Sequence, residues 1–440
     1  MKKYFARDAL LPQGWTRDVC IEVDDAGSIS DVSSAKRGEK LAGPVLPGMA
    51  NLHSHAFQRA MAGLTEMRGP GQDDFWTWRE LMYQFVERVN AKQAKAIATH
   101  LYIEMLLHGY TAVAEFHYVH HPAGMLMSHF EAAREAGIAI TLLPSLYMWS
   151  GFGQKPLQPQ QKRFSSDVSQ LLLILQRMRR HCSPDTNLGA APHSLRAVDP
   201  QTLKELVATL PAGAPIHIHA AEQPREVEEC KAALGKRPVE WLLTEMPVDE
   251  RWCVVHATHM NDEETRALAA SGAVAGLCPT TEGNLGDGIF SLAEYRASKG
   301  RYGIGGDSHV SRDPAEELRL LEYFQRITRR KRNVTTGKKS PAVGTTLWLE
   351  AAAGGAQALG RRMGALAPGM RADLVVLDPE HVDLQARSGD AVANALIFAG
   401  GNGMVRDVMV AGRWVVREKR HAKARPAAAA YKRTLKELLG

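Results

Sequence analysis

The segment Pro47-Gly48-Met49-Ala50-Asn51-Leu52-His53-Ser54-His55 decides the fold prediction, because it predicts a strand that leads into two histidines. Residues two apart on a strand point to the same face, so His53 and His55 can turn two imidazoles toward one ion. This spacing is found among metal ligands. A histidine pair on a protein surface has the same pattern, so the rest of the chain has to decide between the two interpretations.

The composition is that of an ordinary globular protein. The 440 residues are enough for one large domain and a smaller one, and 45% hydrophobic with 23% charged residues lie near the averages of soluble proteins. We find no run of about 18 apolar residues without charge, so no membrane span is predicted. Residues 1–8 are basic but lead into no apolar segment, which predicts a cytoplasmic protein without a secretory signal.

Charge and cysteine usage exclude several classes of function. The net charge of +6 comes partly from basic clusters at 326–332 and 413–436, which lie far from the histidine motifs and are predicted to be solvated faces, not a nucleic-acid site. A basic protein can still attract an anionic small molecule. An odd number of cysteines without a C-x-x-C pair argues against disulfides and against a thiolate zinc site; they are Cys20, Cys182, Cys230, Cys253 and Cys278.

The middle of the chain alternates apolar runs with helical patterns, which is typical of parallel βα units. Eight such runs predict an α/β fold, a (β/α)8 TIM-type barrel over 46–365, with helices near 91–108, 165–181 and 200–210. Alternating segments at 18–23, 372–378 and 405–416 predict a small β-sandwich domain, formed by 1–45 and by 366–440 together with a C-terminal helix. The runs end near Leu52, Phe116, Pro144, Pro192, His219, His256, Cys278 and Gly306.

Active-site groups of such barrels lie at the carboxyl ends of the strands, so the residues at those ends carry the functional argument. The fifth run ends on His219, with Glu222 three residues later; the sixth ends on His256, and the eighth on Asp307. Each has an alternative, since His219 could be a buried structural histidine and Asp307 could cap a helix. A separate structural explanation would have to hold at every one of these strand ends. We therefore predict that the residues at these ends form a metal site. His217 lies on the same strand face as His219, so either could be the metal ligand. We choose His219 because it lies nearer the strand end.

These strand ends resemble those of the amidohydrolase superfamily of metal-dependent deaminases and hydrolases, and the resemblance covers nearly the whole chain. It implies one divalent ion, usually zinc, bound by His53, His55, His219 and Asp307. Three imidazoles and one carboxylate leave a position for water, as in catalytic zinc sites. Members with two metals carry a carboxylated lysine at the end of strand four. Here that segment is Ala190-Ala191-Pro192-His193-Ser194-Leu195-Arg196, without lysine, which predicts a single ion.

More narrowly, residues 51–59, 115–118 and 217–223 resemble the branch of this superfamily that hydrolyses N-formimidoyl-L-glutamate during histidine degradation. The resemblance implies that Glu222 carries protons to the substrate nitrogen, that His256 orients the attacking water, and that Asp307 accepts its proton. A carboxylate favoured by a helix N-terminus is the alternative for Glu222. The substrate-binding residues implied are Gln58, Arg79, Tyr118, His193 and Arg196.

Two arginines suit a dicarboxylate, because a guanidinium binds a carboxylate through two parallel hydrogen bonds. Arg79 lies in the aromatic segment 73–79, which we expect to form a loop that folds over the site as a lid. The alternatives are a deaminase of a guanine-like or s-triazine ring, which needs no arginine pair, and a non-catalytic barrel scaffold, which has usually lost metal ligands. The resemblance also implies a homodimer.

Overall fold

The computed structural model describes residues 1–69, 71, 73–122, 124–337, 340–400 and 403–440. The chain is a mixed α/β protein, and among the residues described no helix combines the length and hydropathy that a membrane crossing needs. The strands in chain order are β1 (Lys2–Leu11), β2 (Gly14–Val23), β3 (Ile29–Ser34), β4 (Glu39–Lys40), β5 (Val45–Pro47), β6 (Met49–Ser54), β7 (Tyr110–His117), β8 (Ala139–Leu146), β9 (Thr186–Leu188), β10 (Ala191–Pro192), β11 (Ile216–Ala220), β12 (Trp252–His256), β13 (Val274–Leu277), β14 (Arg301–Ile304), β15 (Leu374–Leu377), β16 (Val405–Val410) and β17 (Arg413–Val416).

The helices connect and cover these strands. In chain order they are α1 (Phe75–Val86), α2 (Ala91–Leu107), α3 (Met125–Ala136), α4 (Val168–Arg179), α5 (Pro200–Thr209), α6 (Pro224–Leu234), α7 (Pro238–Glu245), α8 (Asp262–Ser271), α9 (Pro279–Leu285), α10 (Leu292–Ala297), α11 (Pro314–Arg329), α12 (Val343–Ala358), α13 (Asp390–Phe398) and α14 (Ala424–Leu439). Three short 3₁₀ helices cover Ala56–Met61, Pro159–Phe164 and Val382–Leu384.

Both ends of the chain contribute to one sheet. Its strand order is β17-β16-β15-β5-β1-β2-β3, with β4 paired to β1, so the terminal segments meet where β15 runs antiparallel to β5. Val375 is opposite Leu46 at this junction. Because β6 follows β5 after a single residue, the sheet leads directly into the strand that carries the first two histidines.

The middle of the chain forms two parallel sheets, one with the order β10-β8-β7-β6 and the other with the order β11-β12-β13-β14. Isolated parallel bridges connect them, Ala190 with Ile216 and Ser194 with His219 at one junction, and Ser54 with Asp307 at the other. The eight predicted runs correspond to β6, β7, β8 and β10 to β14, and each ends within two residues of its predicted end. All eight carboxyl ends therefore gather at one edge, where the histidines lie.

The predicted helices are confirmed at α2, α4 and α5, whose N-termini carry polar caps. The prediction of a loop at 73–79 is wrong, because residues from Phe75 onward form helix α1. The Asp74 carboxylate accepts hydrogen bonds from the backbone N–H groups of Trp76 and Thr77, and the Thr77 hydroxyl oxygen accepts one from the Asp74 N–H. This capping box satisfies the free donors of the first turn, so a segment expected to be irregular begins a helix.

Glycines allow β14 to approach β6 closely. A Cβ atom on Gly305 would lie 2.8 Å from the His53 backbone nitrogen and 2.9 Å from its carbonyl oxygen, which leaves no room for a side chain. Gly303 is equally constrained, since its Cβ would lie 2.5 Å from a methyl carbon of Leu52. The two glycines therefore bring the backbone before Asp307 against the backbone of His53.

Candidate active site

Backbone hydrogen bonds hold the ends of β6 and β14 together. The Asp307 N–H donates to the His53 carbonyl at 2.9 Å, and the His55 N–H donates to the Asp307 carbonyl at 3.0 Å. Asp307 has a left-handed backbone conformation with φ of 49°, which is uncommon for a residue other than glycine and is often found at functional sites. The conformation places the Asp307 carboxylate beside the two imidazoles.

Four side chains from three strand ends converge on one point. His53 Nε2 lies 3.1 Å from His219 Nε2, and Asp307 Oδ1 lies 3.4 Å from both His53 Nε2 and His55 Nε2. A tetrahedral zinc ion with ligands at roughly 2.0–2.1 Å keeps those ligand atoms about 3.3 Å apart. The three histidines form one group that could hold a metal ion, and the separations of His53 from His219 and of Asp307 from His53 and His55 fit a single ion of that size.

Hydrogen bonds orient two of the imidazoles for such an ion. His55 Nδ1 donates to the Phe116 carbonyl at 2.7 Å, and His219 Nδ1 donates to the His193 carbonyl at 2.9 Å. The opposite nitrogen of each ring, Nε2, is left with its lone pair toward the shared point, an arrangement typical of metal-bound histidines. Burial lowers the pKa of His53, His55 and His219 below its usual value, so these rings are neutral near pH 7 and suited to bind a cation.

The neighbouring His217 does not join this group. Its Nε2 donates at 2.8 Å to the carbonyl of Ala358, the last residue of helix α12. The choice of His219 as the ligand candidate agrees with this geometry. His217 instead ties β11 to the end of α12.

His256 lies among carboxylates. Its Nε2 is 3.5 Å from Glu222 Oε1 and 3.9 Å from Asp307 Oδ2, and its Nδ1 is 3.3 Å from Glu282 Oε1. Burial alone would lower the pKa of His256, but the three carboxylates outweigh it and raise the pKa to about 10. Burial raises the pKa of Glu222 to about 7, although His256 and Arg196 pull it down. A buried cluster of closely spaced titratable groups with shifted pKa values suits acid–base chemistry.

Sequence reasoning missed two acidic residues of this cluster, Glu282 and Asp287. Glu282 contacts His256, and Asp287 accepts a hydrogen bond from Gln223 and lies close to Glu222 and His256. Burial raises the pKa of Asp287 to about 9, with the charge of Glu222 adding to the effect. Both residues lie in or just after α9, which follows β13. A search of the segment after the seventh run for carboxylates could have found them.

Arg79 and Arg196 line the same cavity as Glu222. Arg196 Nη2 lies 3.5 Å from Glu222 Oε2, and Nε of each arginine is buried without a hydrogen-bond partner among the residues described. The indole of Trp76 contacts both guanidinium groups, with its centroid 4.6 Å from Arg79 Cζ and 5.7 Å from Arg196 Cζ; Arg225 lies 4.5 Å away on the same ring. The Trp76 ring thus forms cation–π contacts with three guanidinium groups.

The other predicted pocket residues line this cavity as well. Gln58 Nε2 donates to the Tyr118 hydroxyl oxygen at 2.8 Å, and His193 Nδ1 lies 3.1 Å from Ser194 Oγ. Phe75 and Trp78 of the aromatic segment 73–79 line the cavity, as expected of a segment that covers the site. The structure also brings in aromatic and apolar residues that sequence reasoning missed, because nothing in their local pattern separates them from core residues. They are Met82, Tyr83, Tyr147, Phe164 and Leu285.

The chain is a hydrolase of a known family. Residues 45–415 match the sequence profile of the Amidohydrolase family, and the chain belongs to that family. It is 52% identical over 452 aligned residues to a formimidoylglutamate deiminase of Pseudomonas aeruginosa, with 100% of both chains covered. The crystal structure of an amidohydrolase from Brucella melitensis is 44% identical over 100% of both chains, with a TM-score of 0.94. An adenosine deaminase from Xanthomonas campestris with bound zinc shares the fold, with a TM-score of 0.84, 20% identity and coverage of 99% of this chain and 98% of that one.

Proposed function

We propose that this protein is a deiminase that hydrolyses N-formimidoyl-L-glutamate to N-formyl-L-glutamate and ammonia, as a step of histidine degradation. The observation that carries the proposal is the full-length identity of 52% to a formimidoylglutamate deiminase. The geometry agrees with that relative's name, because one cavity is lined by part of the candidate metal group, by a buried acid and by two arginines; these residues are His55, His219, Asp307, Glu222, Arg79 and Arg196. Water adds to the formimidoyl carbon, and the bond from that carbon to the terminal nitrogen breaks.

The proposal includes one divalent ion, zinc in the simplest case, held by His53, His55, His219 and Asp307. The 3.1–3.4 Å separations of their ligand atoms support it, as does the absence of lysine from 190–196. When bound, the ion supplies Lewis acidity, which makes a water molecule nucleophilic near neutral pH. The bound zinc of the structural neighbour from Xanthomonas agrees with this choice of ion.

The residues of the acid–base cluster move the protons. Asp307 accepts a proton from the attacking water, and His256, 3.9 Å from Asp307, orients that water. Glu222 delivers protons to the terminal nitrogen, which has to leave as ammonia because an amide ion is a very poor leaving group. A pKa of about 7 allows Glu222 to accept and to donate a proton at neutral pH.

The arginines select the substrate. N-formimidoyl-L-glutamate carries two carboxylates, and the donors of Arg79 and Arg196 suit them through paired, charge-assisted hydrogen bonds. Gln58, Tyr118 and His193 complete the polar part of the pocket. A flat, uncharged guanine-like or s-triazine ring would offer no carboxylate to these two guanidinium groups, whose Nε donors have no hydrogen-bond partner among the residues described. A non-catalytic scaffold would have no use for the converged ligand set.

The proposal also covers the arrangement of the strands and of the two domains. We propose that β6 to β14 close into a (β/α)8 barrel over 46–365, supported by the bridges that connect the two parallel sheets. Segments 1–45 and 366–440 then form the small β domain, supported by the pairing of β15 with β5, with α14 as the C-terminal helix. A cytoplasmic homodimer completes the proposal.

A substrate panel tests the activity directly. We expect the purified, zinc-loaded protein to release ammonia from N-formimidoyl-L-glutamate, because only this substrate pairs both arginines and offers an amidine carbon. Guanine and an amino-s-triazine serve as the flat, uncharged comparison compounds in the same ammonia assay. Turnover of guanine without turnover of formimidoylglutamate would contradict the proposal.

Glu222→Gln should retain the metal and lose most of the turnover. The amide keeps the size of the side chain but carries no proton to the leaving nitrogen, so we expect kcat to fall by about 10²- to 10⁴-fold. Metal content per chain and kcat are measured together. Glu229→Gln, on helix α6 that follows Glu222, is the control and should behave as wild type, because Glu229 pairs with Arg225 and lies outside the cavity lining. Normal turnover in Glu222→Gln would remove Glu222 from the mechanism.

Arg79→Met should weaken the binding of a dicarboxylate. Loss of one charged pair costs on the order of 2 to 4 kcal/mol, which lowers kcat/KM by about 30- to 1000-fold. Arg225→Met is a matched control, because Arg225 contacts the same Trp76 ring but is paired with Glu229 and lies outside the cavity lining. An unchanged kcat/KM in Arg79→Met would place this arginine outside substrate binding.

A further inference from the structure

Glu115 is a buried carboxylate directly behind the histidine segment. It lies on β7 opposite Ser54 of β6 and is fully buried. It accepts three hydrogen bonds: from the Ser54 hydroxyl at 2.6 Å, from the Ala56 N–H at 2.9 Å and from the Tyr102 hydroxyl at 2.9 Å. Two of these donors are the immediate neighbours of His55. Glu115 therefore holds the backbone on both sides of this metal-ligand candidate.

The hydrogen bonds continue from Ser54 to the end of β14. A serine hydroxyl has one hydrogen, and Ser54 donates it to Glu115, so its oxygen accepts from His309 Nε2 at 2.8 Å. His309 follows Asp307 by two residues. A continuous chain of hydrogen bonds thus connects β7, β6 and the segment that carries the carboxylate of the candidate metal group.

This chain lies on the opposite side of β6 from the ion position. Successive side chains of a strand point to opposite faces, so Ser54 points away from the side on which His53 and His55 converge. Neither Ser54 nor Glu115 lines the cavity. An effect of these residues on the reaction therefore has to act through the side chains that they hold, without contact to the substrate.

A competing interpretation makes Glu115 part of a second metal site, since its carboxylate lies near His117 and His129. Both oxygens of Glu115 are already occupied, Oε1 by the Ala56 N–H and Oε2 by two hydroxyl groups. His117 Nε2 donates to the Val119 carbonyl at 2.7 Å, so that nitrogen is also engaged. The contacts favour a support role over a second ion.

We propose that Glu115, Ser54 and His309 are positioning residues, which hold His55 and Asp307 at the separation that one divalent ion needs. The inference rests on the proposed metal site. Partners that orient metal ligands typically contribute about 10- to 100-fold in metal affinity or activity. Glu115 fixes the ligand segment from behind, and His309 ties that segment to the carboxylate from the neighbouring strand end.

The test measures zinc affinity by competition with a chelator of known affinity, for wild type, Glu115→Gln, Ser54→Ala and the double variant. We expect each single variant to bind zinc about 10- to 100-fold more weakly. Since both substitutions interrupt the same chain, the double variant should lose little more than the weaker-binding single variant. Metal affinity is independent of turnover, so the measurement does not depend on the choice of substrate.

Glu322→Gln is the matched control. Glu322 is another fully buried carboxylate, on α11, and it accepts hydrogen bonds from Arg326 Nε at 2.7 Å, the Val334 N–H at 2.9 Å and the Thr335 N–H at 3.0 Å. Its substitution removes a comparable set of contacts away from the metal group. We expect a loss of stability with zinc affinity within about twofold of wild type.

Each outcome decides the inference. Wild-type zinc affinity in folded Glu115→Gln and Ser54→Ala overturns it, and so does a second ion per chain that is lost in Glu115→Gln. If Glu115→Gln does not fold, Ser54→Ala, which removes a single oxygen, decides alone. A wild-type protein that binds no divalent ion defeats the proposed function and this inference together, whereas equal affinities in all variants defeat only the inference.

Discussion

The structure depends on the convergence of ligand atoms from distant parts of the chain at one buried point. Two imidazole nitrogens 3.1 Å apart, His53 Nε2 and His219 Nε2, need a proton or a cation between them, and the Asp307 carboxylate at 3.4 Å adds a negative charge that favours the cation. Burial of such groups is unfavourable unless they are paired. Two features of the fold bring these ligand atoms together. They are the close approach of β14 to β6 at Gly305 and the bridges between the parallel sheets.

Further charged side chains lie around the candidate metal ligands. Glu222 shares one cavity with Arg79 and Arg196, and Arg196 Nη2 lies 3.5 Å from Glu222 Oε2. A substrate with an amidine carbon and two carboxylates suits a cavity that offers both a buried acid and two guanidinium groups. Trp76 places its ring against both guanidinium groups.

The strand ends and the chemistry they carry could be predicted from the sequence, because a period of two and a chemically distinctive terminal residue are both local signals. The side chains at these strand ends lie close together in the structure. His53 Nε2 lies 3.1 Å from His219 Nε2, and Asp307 Oδ1 lies 3.4 Å from the Nε2 atoms of His53 and His55. Helix α1 could not be predicted from aromatic content alone; its signal was the cap at Asp74. The position of Glu282 and Asp287 after the seventh run is a local signal, but their contacts with His256 and Gln223, like those of Glu115 with Ser54, join segments far apart in the chain and could not be predicted.

X-ray absorption spectroscopy at the metal edge of the purified protein tests the central claim most directly, because it reports the atoms bound to the ion without reference to any substrate. We expect one zinc per chain with three imidazole nitrogens and one or two oxygens at about 2.0–2.2 Å. Sulfur in the coordination sphere, or a site of six oxygens without imidazole scattering, would contradict it.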